Sequence, residues 1–261
     1  MDNEKSTRYW DTHAHYDDGR FDEDREAVIA SLKENGVGTV INAGCDVETT
    51  NAAIALAEKY DFFYATAGFH PGNADKVNDE AKDMAWLRSV LSHPKVVALG
   101  EIGLDYHYDE PSRECQQRVF EMQLCLAEEL DVPVVIHDRD AHGDVMEAIF
   151  RHPKVRGVFH SFSGSPEMAK ELIKRGWYIS FSGVVTFKNA AKLPECAAIV
   201  PEDRFFIETD APYLAPHPYR GKRNDSTLLT YTAERIAEIR DMTVEDVIRV
   251  SAENASRFFG I

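Results

Sequence analysis

Short apolar runs recur along the chain at intervals of roughly 22–36 residues, starting near Arg8 (RYWDTHAH), Val37 (VGTVINAGC), Phe62 (FFYATAGFHP), Val96 (VVALGEIGLD), Val132 (VPVVIHDR), Val155 (VRGVFHSF), Trp177 (WYISFSG) and Arg204 (RFFIETDAP). Runs as continuously apolar as VPVVI and VVAL suit strands buried on both faces, as in a parallel sheet. Helical segments fall between them: DEDREAVIASLKEN followed by Gly36, VETTNAAIALAEKY, RECQQRVFEMQLCLAEEL and SPEMAKELIKR. The last places Ser165 at the N-cap, Pro166 at the first helical position and Gly176 at the stop. Helices within STLLTYTAERIAEI and TVEDVIRVSAENASRFFG end the chain, the second with Thr243 as N-cap.

Eight strands alternating with helices predict an α/β fold, a (β/α)8 TIM barrel with C-terminal helices, in preference to a doubly wound sheet. No Gly/Ser-rich linker or change of composition divides residues 1–261, which read as a single domain. Two echoes, His93-Pro94-Lys95-Val96 and His152-Pro153-Lys154-Val155, each lead into a strand. Their histidines read as loop residues at the N-terminal face of the barrel, where barrel folds invest in stability.

Hydrophobic residues make up 44% and charged residues 28% of the chain, and no apolar run approaches the length of a membrane span. The opening MDNEKSTR has no apolar signal core, which predicts a cytoplasmic protein. Cysteines 45, 115, 125 and 196 form no CxxC pair and read as reduced thiols. A net charge of −16, from 45 acidic and 29 basic residues, opposes non-specific adhesion to nucleic acid or anionic lipid. It leaves room for an enzyme that meets phosphate through bound cations, which dominate the field of their own site. Nothing in the pattern points to an obligate protein partner.

Metal-competent residues stand where the strands end. His13 and His15 close the first, Glu101 interrupts the apolar fourth, His137 ends the fifth, His160 the sixth and Asp210 the eighth. In an extended segment His13 and His15 share a face, with Asp11 beside them. All six fall at the C-terminal face, where barrel enzymes assemble their sites. Together and unpaired they would carry a large desolvation and repulsion cost, which a pair of cations removes. Imidazole with bridging carboxylate suits zinc, manganese or magnesium, and the number of histidines argues against a pure magnesium or calcium site. The expected arrangement has Glu101 bridging two divalent ions roughly 3.5–4 Å apart. His13, His15 and Asp210 would hold one ion, and His137 and His160 the other. Water between the ions would lose a proton near neutral pH and attack as hydroxide, with Asp210 able to take the proton.

The set DTHAH, GFHP, GEIGLDY, HDRDA, HSFSG and ETDAPYLAPHPYRGKRN, running from Asp11 to Asn224, resembles the TatD family of metal-dependent deoxyribonucleases, a branch of the amidohydrolase-like barrels. The resemblance implies a two-metal site at His13, His15, Glu101, His137, His160 and Asp210, with Glu101 and Asp210 catalytic. It also implies hydrolysis of phosphodiester bonds in DNA, often from strand ends as an exonuclease. His70 in GFHP matches a position that lines the same pocket, and Asp105 and Tyr106 in GLDY would place a ligand or orient the histidines. Arg220, Lys222 and Arg223, with Tyr213 and Tyr219 nearby, could meet phosphate and a stacked base. Two departures from the family pattern stand out: Ser161 where cysteine is common, and Asp225-Ser226 in place of an acidic-Pro pair, which would loosen its loop. Fold and ligand set leave open another ester or amide as substrate, such as acylated RNA, a lactone or a phosphotriester, or a binding protein that retains its metals.

Overall fold

The first strand, β1 (Tyr9–Ala14), carries the two histidines to its end and turns into α1 (Arg25–Glu34). From there strand and helix alternate: β2 (Val37–Asn42), α2 (Val47–Lys59), β3 (Phe63–Ala67), α3 (Glu80–Val90), β4 (Val96–Asp105), α4 (Arg113–Leu130), β5 (Val134–Arg139) and α5 (His142–Arg151). The pattern continues through β6 (Gly157–Phe159), α6 (Pro166–Lys174), β7 (Tyr178–Phe181), α7 (Leu193–Ile199) and β8 (Phe205–Ile207), and closes with α8 (Leu229–Arg240) and α9 (Val244–Phe259). The structure, a computed structural model, describes residues 8–261. Residues 1–7, on which most of the export reading rests, lie outside the described residues.

All eight strands are parallel and pair in sequence order, β1 to β8. A parallel bridge between Ala14 and Ala211, with Asp210 N donating to His13 O at 2.9 Å, draws the two edges together just beyond β8. The result is a nearly closed single-domain barrel wrapped by helices, as the spacing of apolar runs predicts. Its inward layer includes Ile41, Ala98, Val135, Val158 and Phe206. Ala98, Val135 and Val158 come two or three residues before Glu101, His137 and His160 on their strands, so the apolar layer lies directly beneath the polar one. Ala255, Phe258 and Phe259 of α9 cover that layer, which leaves the polar C-terminal end as the open mouth. Among the described residues, no helix is long and apolar enough to cross a membrane.

Caps agree with the expected helix starts. Ser165 accepts from Met168 N with Pro166 next to it, and Thr243 accepts from Asp246 N. Three helices beyond those expected fill the outer ring: α3, α5 and α7. Leu87 is the one buried residue of α3, α5 starts within two residues of β5 without a side-chain cap, and α7 spans seven residues. Each therefore lacks part of the sequence signature by which helices are found.

Candidate metal centre

Each strand delivers its polar residue at the mouth because the residues before it are fastened to neighbours. On β4 the register with β5 shifts between Leu99 and Ile102, and Glu101 N donates to Gly44 O at 2.9 Å. Gly103 then passes His137 so closely that a Cβ would lie 1.9 Å from His137 O, and its φ of +144° also favours glycine. Asp210 sits in the left-handed region at φ +59°, pinned by its N–H to His13 O and by Tyr213 N to its own carbonyl. Holding a non-glycine residue there costs backbone energy, a feature common at functional sites.

The donor atoms fall into two sets around Glu101. Its Oε2 lies 3.2 Å from His13 Nε2 and 3.7 Å from His15 Nε2, and these two nitrogens are 3.2 Å apart. Asp210 Oδ1 joins them at 3.8 and 3.3 Å. The other oxygen, Oε1, lies 2.7 Å from His137 Nδ1 and 2.8 Å from His160 Nε2. His70 Nε2 stands further off, 3.6 Å from Oε1. Donor atoms of His13, His160 and Asp210 also lie within 4.8 Å of one another, so the two sets touch.

This donor set fits divalent cations. Nitrogen and oxygen lone pairs converge at 2.7–3.8 Å with few protons to share, an arrangement that is costly unless positive charge lies among them. The outer nitrogens meet carboxylates, as on metal-bound histidines. Asp105 Oδ2 is 3.2 Å from His137 Nε2, and Glu208 Oε1 is 3.4 Å from His160 Nδ1. His160 Nδ1 has no well-aligned hydrogen-bond partner at that distance. Glu208 is itself held by Ser161 N and Ser180 Oγ, both at 2.5 Å.

Protonation follows the same geometry. Burial disfavours ionisation of Glu101, yet His160, His70 and His13 outweigh it and hold its carboxyl well below the ordinary range. Burial likewise works against a charged His15, but hydrogen bonds to Asp210 and Cys45 raise it well above its usual value. His160 is also raised well above its usual value, because the Glu101 charge outweighs burial. Burial and the neighbouring His160 instead lower His13. His70 is pushed down to about 3 by burial, and its Nδ1 accepts from Gly72 N at 3.0 Å. With Nδ1 accepting from Gly72 N, a neutral His70 carries its proton on Nε2 and can donate a hydrogen bond, and the same Nε2 stands within 4.8 Å of donor atoms of Glu101 and His137.

The centre forms the floor of a cavity of about 690 Å³. Asp105 and His70 line this cavity, as do Cys45, Lys76, Tyr108 and Arg139. Arg139 ends β5, two residues after His137, whereas Cys45, Lys76 and Tyr108 lie beyond the ends of β2, β3 and β4, on paths that periodicity does not encode. Glu208 was within reach of sequence reading, as a carboxylate in the ETD stretch two residues before Asp210.

Several expected residues lie elsewhere. Asp11 is not among the clustered donors: it accepts from Thr209 N at 2.9 Å, Thr209 Oγ1 at 2.5 Å and Ser226 Oγ at 2.6 Å, joining β1 to the segment after β8. Burial pushes its carboxyl up to about 7. Tyr106 faces the outer helices, donating to Asp144 at 2.6 Å with Arg113 stacked on its ring. Arg220, Lys222 and Arg223 are not among the cavity-lining residues. Arg223 instead forms a bidentate pair with Asp24 at 2.6–2.7 Å, and Arg220 stacks on Phe187. Tyr219 packs on Tyr231, also away from the cavity. Nor does Ser226 loosen its loop. It is buried, and its hydrogen bonds to Asp11 and Tyr16 tie that loop to β1.

Known proteins resemble this chain over most of its length. The chain is 44% identical over 254 residues to a protein of Bacillus subtilis named uncharacterized metal-dependent hydrolase YabD, covering 97% of this chain and 99% of that one. An Escherichia coli K12 protein named uncharacterized metal-dependent hydrolase YcfH is 41% identical over 209 residues, 79% of this chain and 77% of its own. The crystal structure of YjjV, a TatD homologue from Escherichia coli K12, superposes with a TM-score of 0.91 at 32% identity, over 98% of this chain and 99% of that one. The family described as TatD related DNase matches residues 10–260, so the chain belongs to that family.

Proposed function

We propose that this protein is a metal-dependent hydrolase that cleaves phosphodiester bonds of DNA from strand ends, with two divalent ions held around Glu101. One observation carries the reading: the two oxygens of Glu101 face separate donor sets, His13, His15 and Asp210 on one side, His137 and His160 on the other. Bound there, two divalent cations would acidify a water and neutralise charge on the phosphate oxygens. The chain's residues supply the rest. Asp210, open to the cavity, accepts the proton of the attacking water at a carboxylate oxygen. His70, with its proton on Nε2, donates to a phosphate oxygen or to Glu101 and thereby orients the scissile group. Asp105 and Glu208 hold the imidazoles of His137 and His160 from behind.

The rim supports a strand end more than a long duplex. Arg139 has no ion pair among the described residues and lies under Tyr108, whose ring is 62% exposed. On the other side stand Asp17, Asp18, Asp46 and Glu48, with Lys76 bound to Asp46 at 2.5 Å. Phosphate is attracted to the Arg139 side and repelled from the other, and an exposed tyrosine offers a stacking face to an unpaired base. The same four acids favour a second reading, an ester or amide in a less charged molecule such as a lactone.

The test is metal-dependent cleavage of end-labelled single-stranded and double-stranded DNA at low salt, beside the His13→Ala/His15→Ala variant. A ladder shortened from one end, abolished by chelator and absent in the variant, is expected. Failure to cut DNA in magnesium, manganese or zinc, together with rapid turnover of a small ester, would replace the first reading by the second.

A further inference from the structure

Away from the barrel mouth, α4 and the end of α5 bring together a second group of metal-competent side chains. Glu121, Cys125 and Glu128 follow one another at i, i+4 and i+7 on α4, so a single helix face presents all three. His152, directly after α5, turns into that face with its side chain 8% exposed. Its Nε2 lies 2.9 Å from Glu121 Oε1, and its Nδ1 lies 3.0 Å from Glu128 Oε2. One donor atom from each of Glu121, Cys125 and His152 lies within 4.8 Å of the other two.

A neutral imidazole has one N–H and cannot donate to two carboxylates. Close carboxylates on both nitrogens require positive charge, as a proton on the ring or a cation between Nε2 and Glu121 Oε1. The thiol discriminates between these. A proton leaves Cys125 without a part, whereas a cation gains a third donor, and thiolate with imidazole is the pairing that zinc-like ions prefer. Glu128 on Nδ1 then reproduces the carboxylate–histidine–metal relay that fixes tautomer and ring orientation. Glu121 presents one oxygen to the site because Arg151 holds the other at 2.8 Å. Counting Glu147, which also contacts Arg151, the three carboxylates and one guanidinium leave a local charge of −2 that attracts a cation.

We propose that Glu121, Cys125 and His152 form a second metal site for a zinc-class divalent ion, with Glu128 orienting the imidazole and solvent completing the coordination. On uptake the S–H bond of Cys125 breaks, its electron pair forms the sulfur–metal bond, and the proton leaves to solvent, with no change of oxidation state. The ion fastens α4 to the end of α5, the helices on either side of β5, which carries His137.

Cobalt(II) titration of the folded protein tests this directly. Expected is a thiolate-to-cobalt charge-transfer band whose final intensity matches one sulfur–cobalt bond per chain, beside the cobalt taken up at the mouth, and which persists in His13→Ala/His15→Ala and in Cys45→Ser and vanishes in Cys125→Ser. Because Cys125 is exposed, Cys125→Ser should retain the far-ultraviolet spectrum and hydrolytic turnover of the parent. Glu128→Gln should keep the stoichiometry while weakening affinity about 10-fold or more, as loss of an outer carboxylate does. Excess zinc should slow alkylation of Cys125, read by peptide mass spectrometry, at least tenfold. A missing band, a band that survives Cys125→Ser, or an alkylation rate indifferent to zinc would overturn the proposal.

Discussion

At the scale of single residues, Glu101 connects two imidazole sets through one carboxylate, so charge matters there more than shape. Glu101→Gln keeps the volume and removes the anion. Turnover is expected to fall about 10³-fold or more, since it removes both metal retention and transition-state charge stabilisation. Metal content measured on the purified variant should fall with it, while the far-ultraviolet spectrum stays unchanged. A second prediction concerns protons. His15 and His160 are raised well above the ordinary imidazole range by Asp210 and Glu101, against the effect of burial, and cations must displace those protons to bind. Affinity should therefore fall as pH drops, about tenfold per unit for each proton displaced, and calorimetry in buffers of different ionisation enthalpy should register proton release. The six clustered residues were readable because each is a polar interruption at the end of an apolar run. Tyr108 was not, since nothing in a linear pattern says which loop residue leans over the mouth, whereas Arg139 ends β5 two residues after His137 and lay open to the same reading. The basic triplet Arg220, Lys222 and Arg223 shows the converse limit: the pairing of Arg223 with Asp24, far away in sequence, is invisible in a linear pattern.

Elements position the site through close contacts that tolerate no side chain. Gly103 on β4 crosses His137 on β5 with room for hydrogen alone, in a backbone conformation that other residues avoid. Gly103→Ala must displace the β4–β5 ladder beside Glu101 and His137. It should cost about 2–4 kcal/mol, in the range of the more damaging point substitutions, and should lower both Tm and metal content. Denaturant unfolding would check the first expectation and metal analysis the second. An unchanged midpoint would mean that the ladder shifts freely there. Eight strands could be placed from the sequence because buried parallel strands are unbroken apolar runs, and their ends are marked by the polar residues of the mouth. Helices carry a weaker code. An apolar face with a clear cap marks α6, with Ser165 and Pro166, whereas α3 fully buries Leu87 alone and packs Met84, Trp86 and Val90 only partly against the core, a weaker stripe.

For the whole molecule, the proposed function sets a body of net charge −16 against a polyanionic substrate. Long-range attraction is unavailable, so binding must come from the local field of the mouth, where the cations of the chain are Lys76 and Arg139. Lys76 is paired with Asp46, so the one free phosphate contact among the described residues of the mouth, Arg139, predicts that log KM rises with log salt with a slope of about 0.7 on a single strand and about 0.9 on a duplex. Arg139→Ala should raise KM about tenfold at low salt and reduce the slope by about 0.7, because one counterion fewer is released. Arg223→Ala, which breaks a pair with Asp24 away from the cavity, should leave the slope unchanged. The contrast separates a substrate that meets the protein through its phosphates from one recognised by shape. If KM for the best substrate is flat in salt and indifferent to Arg139, the acids at Asp17, Asp18, Asp46 and Glu48 dominate recognition, and the hydrolysed bond belongs to a less charged molecule than DNA.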